Sequence, residues 1–190
     1  HNVESIEDIK PFKVPCLSPN QLFEKYNLKQ INTLCVDIEG LDESVKKYIR
    51  SGKPFLGICL GLQLLLDESD EGNEKGLGIV EGRVRRLPQG VKIPHMGWNR
   101  VTLTNFHPAF RGIPDESYFY FVHSYYADPK EQSTIIGKTK YGLEFCSALA
   151  FKNVISVQFH PEKSGYLGLK LYTNFIELIV SGDQAGENWI

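Results

Sequence analysis

Residues 54–61, Pro-Phe-Leu-Gly-Ile-Cys-Leu-Gly, constrain this chain more than any other stretch. Pro54–Cys59 reads as a short buried strand. Leu60 to Asp67 is apolar nearly all round, as in a buried helix. A strand that runs straight into a helix, with glycines at the join, belongs to α/β architecture. Gly57-Ile58-Cys59-Leu60-Gly61 also has the spacing of a nucleophile elbow, with cysteine in place of serine. In that setting the glycines permit a sharp turn and keep side chains away from a substrate. The cysteine starts a helix whose positive end favours a thiolate, and the N–H of Leu60 points where an oxyanion would form. Five-residue motifs recur by chance, so the elbow needs partners.

A nucleophilic cysteine requires a base, and the base an orienting acceptor. The segment "QFHPEKSG" offers both. His160 follows a predicted strand, Asn153–Phe159; Pro161 ends that strand, and Glu162 lies two residues on. In open α/β sheets, functional groups collect at the carboxyl ends of strands, where Cys59 and His160 would meet. A histidine taken alone is more often a surface or core residue; His107, in the loop "NFHPAF", is expected to be dispensable.

The rest of the chain fits one α/β domain over residues 1–180, followed by a polar tail or linker start at 181–190. "TLCVD" (33–37) reads as a strand. The helix after it places Val45, Tyr48 and Ile49 on one face and closes at Ser51-Gly52. Strand composition recurs at Arg100–Thr104, Ser117–Ala127, Ser133–Gly142 and Phe145–Phe151. A last helix, Gly165 to about Val180, repeats Leu169, Tyr172, Ile176 and Ile179 at helical spacing. At 190 residues the chain can bury a core without a disulfide or metal staple. A net charge of −2 gives no reason to expect nucleic acid or an anionic membrane as partner, and no apolar run is long enough to span a bilayer. No signal peptide opens the sequence. Cys16, Cys35, Cys59 and Cys146 never form C-x-x-C, which disfavours a zinc or thioredoxin-type site. Apart from Cys59 they read as buried thiols.

"GICLGLQLL" and "HPEKSG" resemble the nucleophile and base motifs of class I glutamine amidotransferases. "GLGIVEGRVRRLP", "KIPHMGWNRV" and "YFYFVHSYYA" resemble, within that family, the glutaminase part of imidazole glycerol phosphate synthase. The likeness runs from about Ser51 to Phe175. It implies a flavodoxin-like fold: an open mixed sheet flanked by helices, with extra antiparallel strands. It implies hydrolysis of glutamine to glutamate and ammonia, with Cys59 as nucleophile, His160 as base and Glu162 as its orienting group. Gly57, Leu60, Gln63, Glu71, Ser124 and Tyr125 would contact the substrate. Pro94, His95, Met96, Gly97, Trp98 and Lys163 would face a (β/α)8-barrel cyclase, a separate subunit or a fused domain, that uses the ammonia in histidine biosynthesis. Met96 and Trp98 follow a proline and flank a glycine, which suits an exposed loop. No metal or organic cofactor is implied. The expected location is the cytoplasm, or a plastid if a transit peptide precedes the sequence.

One departure stands out. The family carries a Pro-Gly-Val-Gly segment, after an apolar strand, that completes the oxyanion hole; here "TLCVD" runs into "IEGLDESVKKYI", with Gly40 as the nearest glycine. Two alternative readings follow: a docking subunit with an impaired site, and a glutaminase serving another synthase.

Overall fold

The structure is a computed structural model that describes residues 42–72 and 75–180. The expected strand at 33–37, Cys16, Cys35, Gly40 and the tail at 181–190 lie outside the described residues.

Helix α1 (Asp42–Arg50) buries Val45 and Ile49, as its pattern predicts, and carries Lys47 and Arg50 in its last turn, where they complement the helix dipole. It ends where Gly52 adopts φ 77° and its N–H donates to the carbonyl of Ile49. Strand β1 (Phe55–Ile58) lies parallel to β9 (Val154–Val157), in a register that sets Ile58 opposite Val157. The carboxyl ends of these two strands therefore coincide.

Between them the chain builds β2 (Glu68–Ser69), β3 (Gly82–Arg86), β4 (His95–Leu103), β5 (Ser117–His123), β6 (Tyr125–Pro129), β7 (Ile135–Tyr141) and β8 (Leu143–Phe151). Their order is β2-β3-β6-β8-β7-β4-β5, and β9 pairs with β8 as well as β1. Most of these pairings are antiparallel. Adjacent residues of one strand join different cores. Phe55 packs with Val45, Ile49, Leu62 and Val154; Leu56 packs with Ile155, Leu171 and Phe175. Since successive side chains of a strand point to opposite faces, helices cover both sides of the central sheet. This is the expected open mixed sheet with added antiparallel strands.

Four expectations are corrected. The buried helix expected over Leu60–Asp67 is a single turn, α2 (Leu60–Gln63). The carbonyls of Leu64, Leu65 and Leu66 turn away to accept N–H groups from residues 77–80, so the segment stays buried without staying helical. The strand expected over Ser117–Ala127 breaks at Ser124, where the chain leaves the β4–β5 ribbon for β6. Helix α3 (Gly165–Val180) buries Leu171, Phe175 and Leu178, whereas Leu169 and Ile176 are exposed. With apolar residues around most of its circumference, periodicity alone could not select the inner face. His107 is not a loose loop residue: it is fully buried and its Nδ1 accepts the N–H of Ala109 at the start of a short 3-10 turn.

Candidate active site

The sharp turn of the elbow falls on Cys59 itself, and neither Gly57 nor Gly61 takes a positive φ. Cys59 adopts φ 51° and ψ −101°, a region that residues with a Cβ rarely occupy, and its N–H donates to Val157 at 2.8 Å. A Cβ on Gly57 would lie 2.2 Å from Ser156 Oγ and 2.9 Å from the carbonyl oxygen of Gly61. Gly57 is thus demanded by the packing of β1 on β9, not by substrate clearance. At Gly61 the same position is open.

Burial, the dominant influence, pushes the Cys59 thiol up. The N–H of Leu60 and the side-chain amide of Gln158 pull it down, and the charges of Glu162 and Glu71 oppose ionisation. The expected thiolate-favouring dipole does not prevail, because a four-residue helix has few aligned peptides to sum. Cys59 therefore needs a base. Cys146, fully buried, is pushed up to about 12 and is inert by comparison.

His160 stands just beyond β9. Its N–H donates to Tyr120, its carbonyl accepts the hydroxyl of Ser164 at 2.6 Å, and Ser164 Oγ accepts the N–H of Tyr120. Its Nδ1 lies 2.7 Å from Glu162 Oε1. Because the carboxylate can only accept, Nδ1 carries the proton and Nε2 presents a lone pair. Nε2 is buried and has no hydrogen-bond partner among the described residues. The Cys59 sulfur meets Val122 O at 3.8 Å and the amide of Gln158 at 3.6 Å. The thiol and imidazole are thus not yet hydrogen-bonded, which is common before substrate binds.

Beside the elbow lies a cavity of about 210 Å³ lined by Leu60, Gln63 and Glu71 among others. It is smaller than the roughly 300–1,000 Å³ of drug-sized sites, and neither Cys59 nor His160 is among the residues that line it. Gln63 is buried, not solvated: its amide donates to Tyr125 O at 2.8 Å and to Gln158 Oε1 at 3.1 Å. Glu71 is exposed at the rim. The carbonyl of Ser124 is occupied by the N–H of Leu87. Sequence reasoning overlooked Gln158. The available signal was a single polar residue between Val157 and Phe159, two positions before His160.

The residues expected to face a partner divide. Met96 and Trp98 are exposed, 61% and 54%, but on strand β4 and not in a loop. Trp98 meets Tyr120 edge-on with centroids 6.1 Å apart, and the Lys163 ammonium sits 6.0 Å from the same tyrosine ring. Pro94 and Gly97 are half-buried. His95 is corrected: strand alternation turns it inward, where it is buried and stacked on Tyr141 at 3.9 Å. Its Nδ1 is 2.9 Å from Nε2 of buried His123, whose Nδ1 donates to Tyr125 O. Burial lowers both imidazoles to about 4, so both are neutral at pH 7.

The sequence profile of the class-I glutamine amidotransferases matches residues 35–178. The imidazole glycerol phosphate synthase subunit HisH of Dehalococcoides mccartyi is 52% identical over 147 residues, covering 77% of this chain and 71% of that protein. HisH of Methanocaldococcus jannaschii is 51% identical over 140 residues, covering 73% and 71%. Among solved structures, a glutamine amidotransferase from Thermotoga maritima superposes with a TM-score of 0.54 at 17% identity, covering 85% of this chain and 77% of its own. A second glutamine amidotransferase gives a TM-score of 0.59 at 19%, covering 82% and 83%. At such identities these two structures share the fold.

Proposed function

The chain belongs to the class I glutamine amidotransferases, alongside the HisH subunits of imidazole glycerol phosphate synthase, and from that premise we propose that Cys59, His160 and Glu162 form its catalytic triad. The protein hydrolyses glutamine to feed imidazole glycerol phosphate synthesis in histidine biosynthesis. The observation that carries the triad is the state of His160: Nδ1 committed to Glu162, Nε2 buried and without a hydrogen-bond partner among the described residues, at the strand end next to the elbow.

Glutamine enters the cavity bordered by Leu60, Gln63 and Glu71. His160 Nε2 takes the thiol proton as the sulfur attacks the side-chain amide carbon. The developing oxyanion is met by the N–H of Leu60. His160 returns the proton to the departing nitrogen, releasing ammonia and leaving a glutamyl thioester on Cys59. The same imidazole then activates water, and glutamate leaves. Glu162 holds the imidazole in the required tautomer and stabilises its cation.

The ammonia passes to a (β/α)8-barrel cyclase docked on the outer face of the β4–β5 ribbon, where Met96, Trp98, Tyr120 and Lys163 supply exposed apolar surface and one charge. Aromatic residues clustered in this way are typical interface anchors. The test is ammonia release from glutamine with the cyclase present. The unaltered chain should turn over, and Cys59→Ala and His160→Ala should lose activity while keeping their fold. Retained hydrolysis in Cys59→Ala would refute the assignment.

A further inference from the structure

We propose that Gln158 is a working part of the glutaminase site, holding the Cys59 sulfur with its amide N–H while its carbonyl anchors Gln63. The inference rests on Cys59 being the nucleophile.

The orientation of both amides follows from one fixed acceptor. Tyr125 O can only accept, so Gln63 must present its nitrogen there. The same nitrogen reaches the Gln158 side chain at 3.1 Å and must meet oxygen, because an amide nitrogen does not accept. The Gln158 nitrogen is thereby directed to the Cys59 sulfur at 3.6 Å. Tyr125 O is itself held by the Nδ1–H of His123 at 2.8 Å, so the start of the chain is rigid. Gln158 is fully buried, and its own N–H donates to Ser147 O at 2.9 Å, which fixes the backbone from which the side chain projects.

This arrangement meets a specific need. In its protonated form Cys59 faces a carbonyl, Val122 O, which can accept from a thiol but repels a thiolate. Once the proton leaves, the half-buried sulfur requires donors. With the N–H of Leu60 serving the oxyanion, Gln158 is, among the described residues, the donor left for the sulfur. Both hydrogens of the Gln63 nitrogen are used within the protein, so the atom it offers the cavity is its carbonyl oxygen, suited to an ammonium group of the substrate.

The test is the pH dependence of Cys59 alkylation by iodoacetamide, followed by peptide mass spectrometry on the full chain. Replacing Gln158 by Met should raise the midpoint by about one to two pH units, the worth of a hydrogen bond to a charged group, with roughly ten- to hundred-fold less thiolate at neutral pH. Gln63→Met, which removes the anchor of the Gln158 carbonyl, should raise KM for glutamine and move the midpoint in the same direction but by less than Gln158→Met. A merely structural role for Gln158 would lower thermal stability and leave the midpoint unmoved, and an unmoved midpoint overturns the proposal. If Gln158→Met does not fold, the unaltered protein decides: the side-chain amide nitrogen resonance of Gln158 should shift as Cys59 titrates, and a resonance indifferent to that titration overturns it equally. Hydrolysis surviving Cys59→Ala would instead sink the nucleophile assignment. Activity lost in Cys59→Ala alongside an unmoved midpoint in Gln158→Met sinks only this inference.

Discussion

Glu162 Oε1 lies 2.7 Å from Nδ1 of His160, so the carboxylate dictates which nitrogen of the neutral imidazole carries the proton. Replacing it by an isosteric amide removes that constraint, since Gln can offer a donor and stabilise the wrong tautomer. Glu162→Gln should lower kcat by about 100-fold or more, with KM for glutamine little changed. Steady-state kinetics with the cyclase present measure both. A kcat within a factor of two or so of the unaltered protein would show that Glu162 does not orient the base.

The buried histidines set a pH limit on the fold and not on the chemistry. His95, His107 and His123 are each held near 4 by burial, against about 6.5 when unfolded. Their native values are depressed, so the unfolded chain binds the extra protons. Stability should therefore be flat above about pH 6.5 and fall as pH drops toward 4, by up to about 1.4 kcal/mol per pH unit for each residue. Urea midpoints measured between pH 7 and pH 5 check this, and a constant midpoint would contradict it. His107→Ala should cost about 1–2 kcal/mol through its lost cap and packing, yet leave kcat per folded molecule intact.

How far the sequence disclosed this molecule depended on how local the determinant was. The elbow was legible because its Gly-x-Cys-x-Gly spacing lies within five consecutive residues, although the need for Gly57 comes from Ser156 on the neighbouring strand. The strand-end placement of His160 was legible because Pro161 cannot continue a ladder. The inner face of α3 was not, because Leu169 and Leu171 are chemically alike and only the docked sheet tells them apart. His95 was misplaced for a similar reason: once residues 95–103 form a strand, alternation sends Met96 and Trp98 outward and His95 inward. Gln158 became visible only through contacts with Gln63 and Cys59, 95 and 99 residues away in sequence.

Backbone strain at Cys59 has a measurable consequence. Holding a side-chain-bearing residue at φ 51° and ψ −101° costs about 1–3 kcal/mol, whereas glycine's added chain entropy costs about 0.5–1. Strain relief is the larger effect. Cys59→Gly should thus be more stable than Cys59→Ala by about 0.5–2 kcal/mol, with both inactive. Paired thermal or urea denaturation compares them. A less stable glycine variant would mean the elbow is relaxed.

If the β4–β5 ribbon is the docking face proposed above, Trp98 should separate binding from folding. Trp98 is 54% exposed and its ring contributes little to the interior. Trp98→Ala should leave the melting temperature nearly unchanged and weaken cyclase binding by about 2 kcal/mol, or roughly 30-fold in Kd. Isothermal titration against the cyclase measures the change, and an unaltered Kd would place the interface elsewhere.

The central claim is that Cys59 is the residue that attacks glutamine. It is tested most directly by exposing the full chain to a diazo-ketone analogue of glutamine and mapping the modified peptides. Label is expected on Cys59 alone, blocked by excess glutamine and absent in His160→Ala. Equal labelling of Cys16, Cys35 or Cys146, or modification of Cys59 that glutamine does not block, would contradict it.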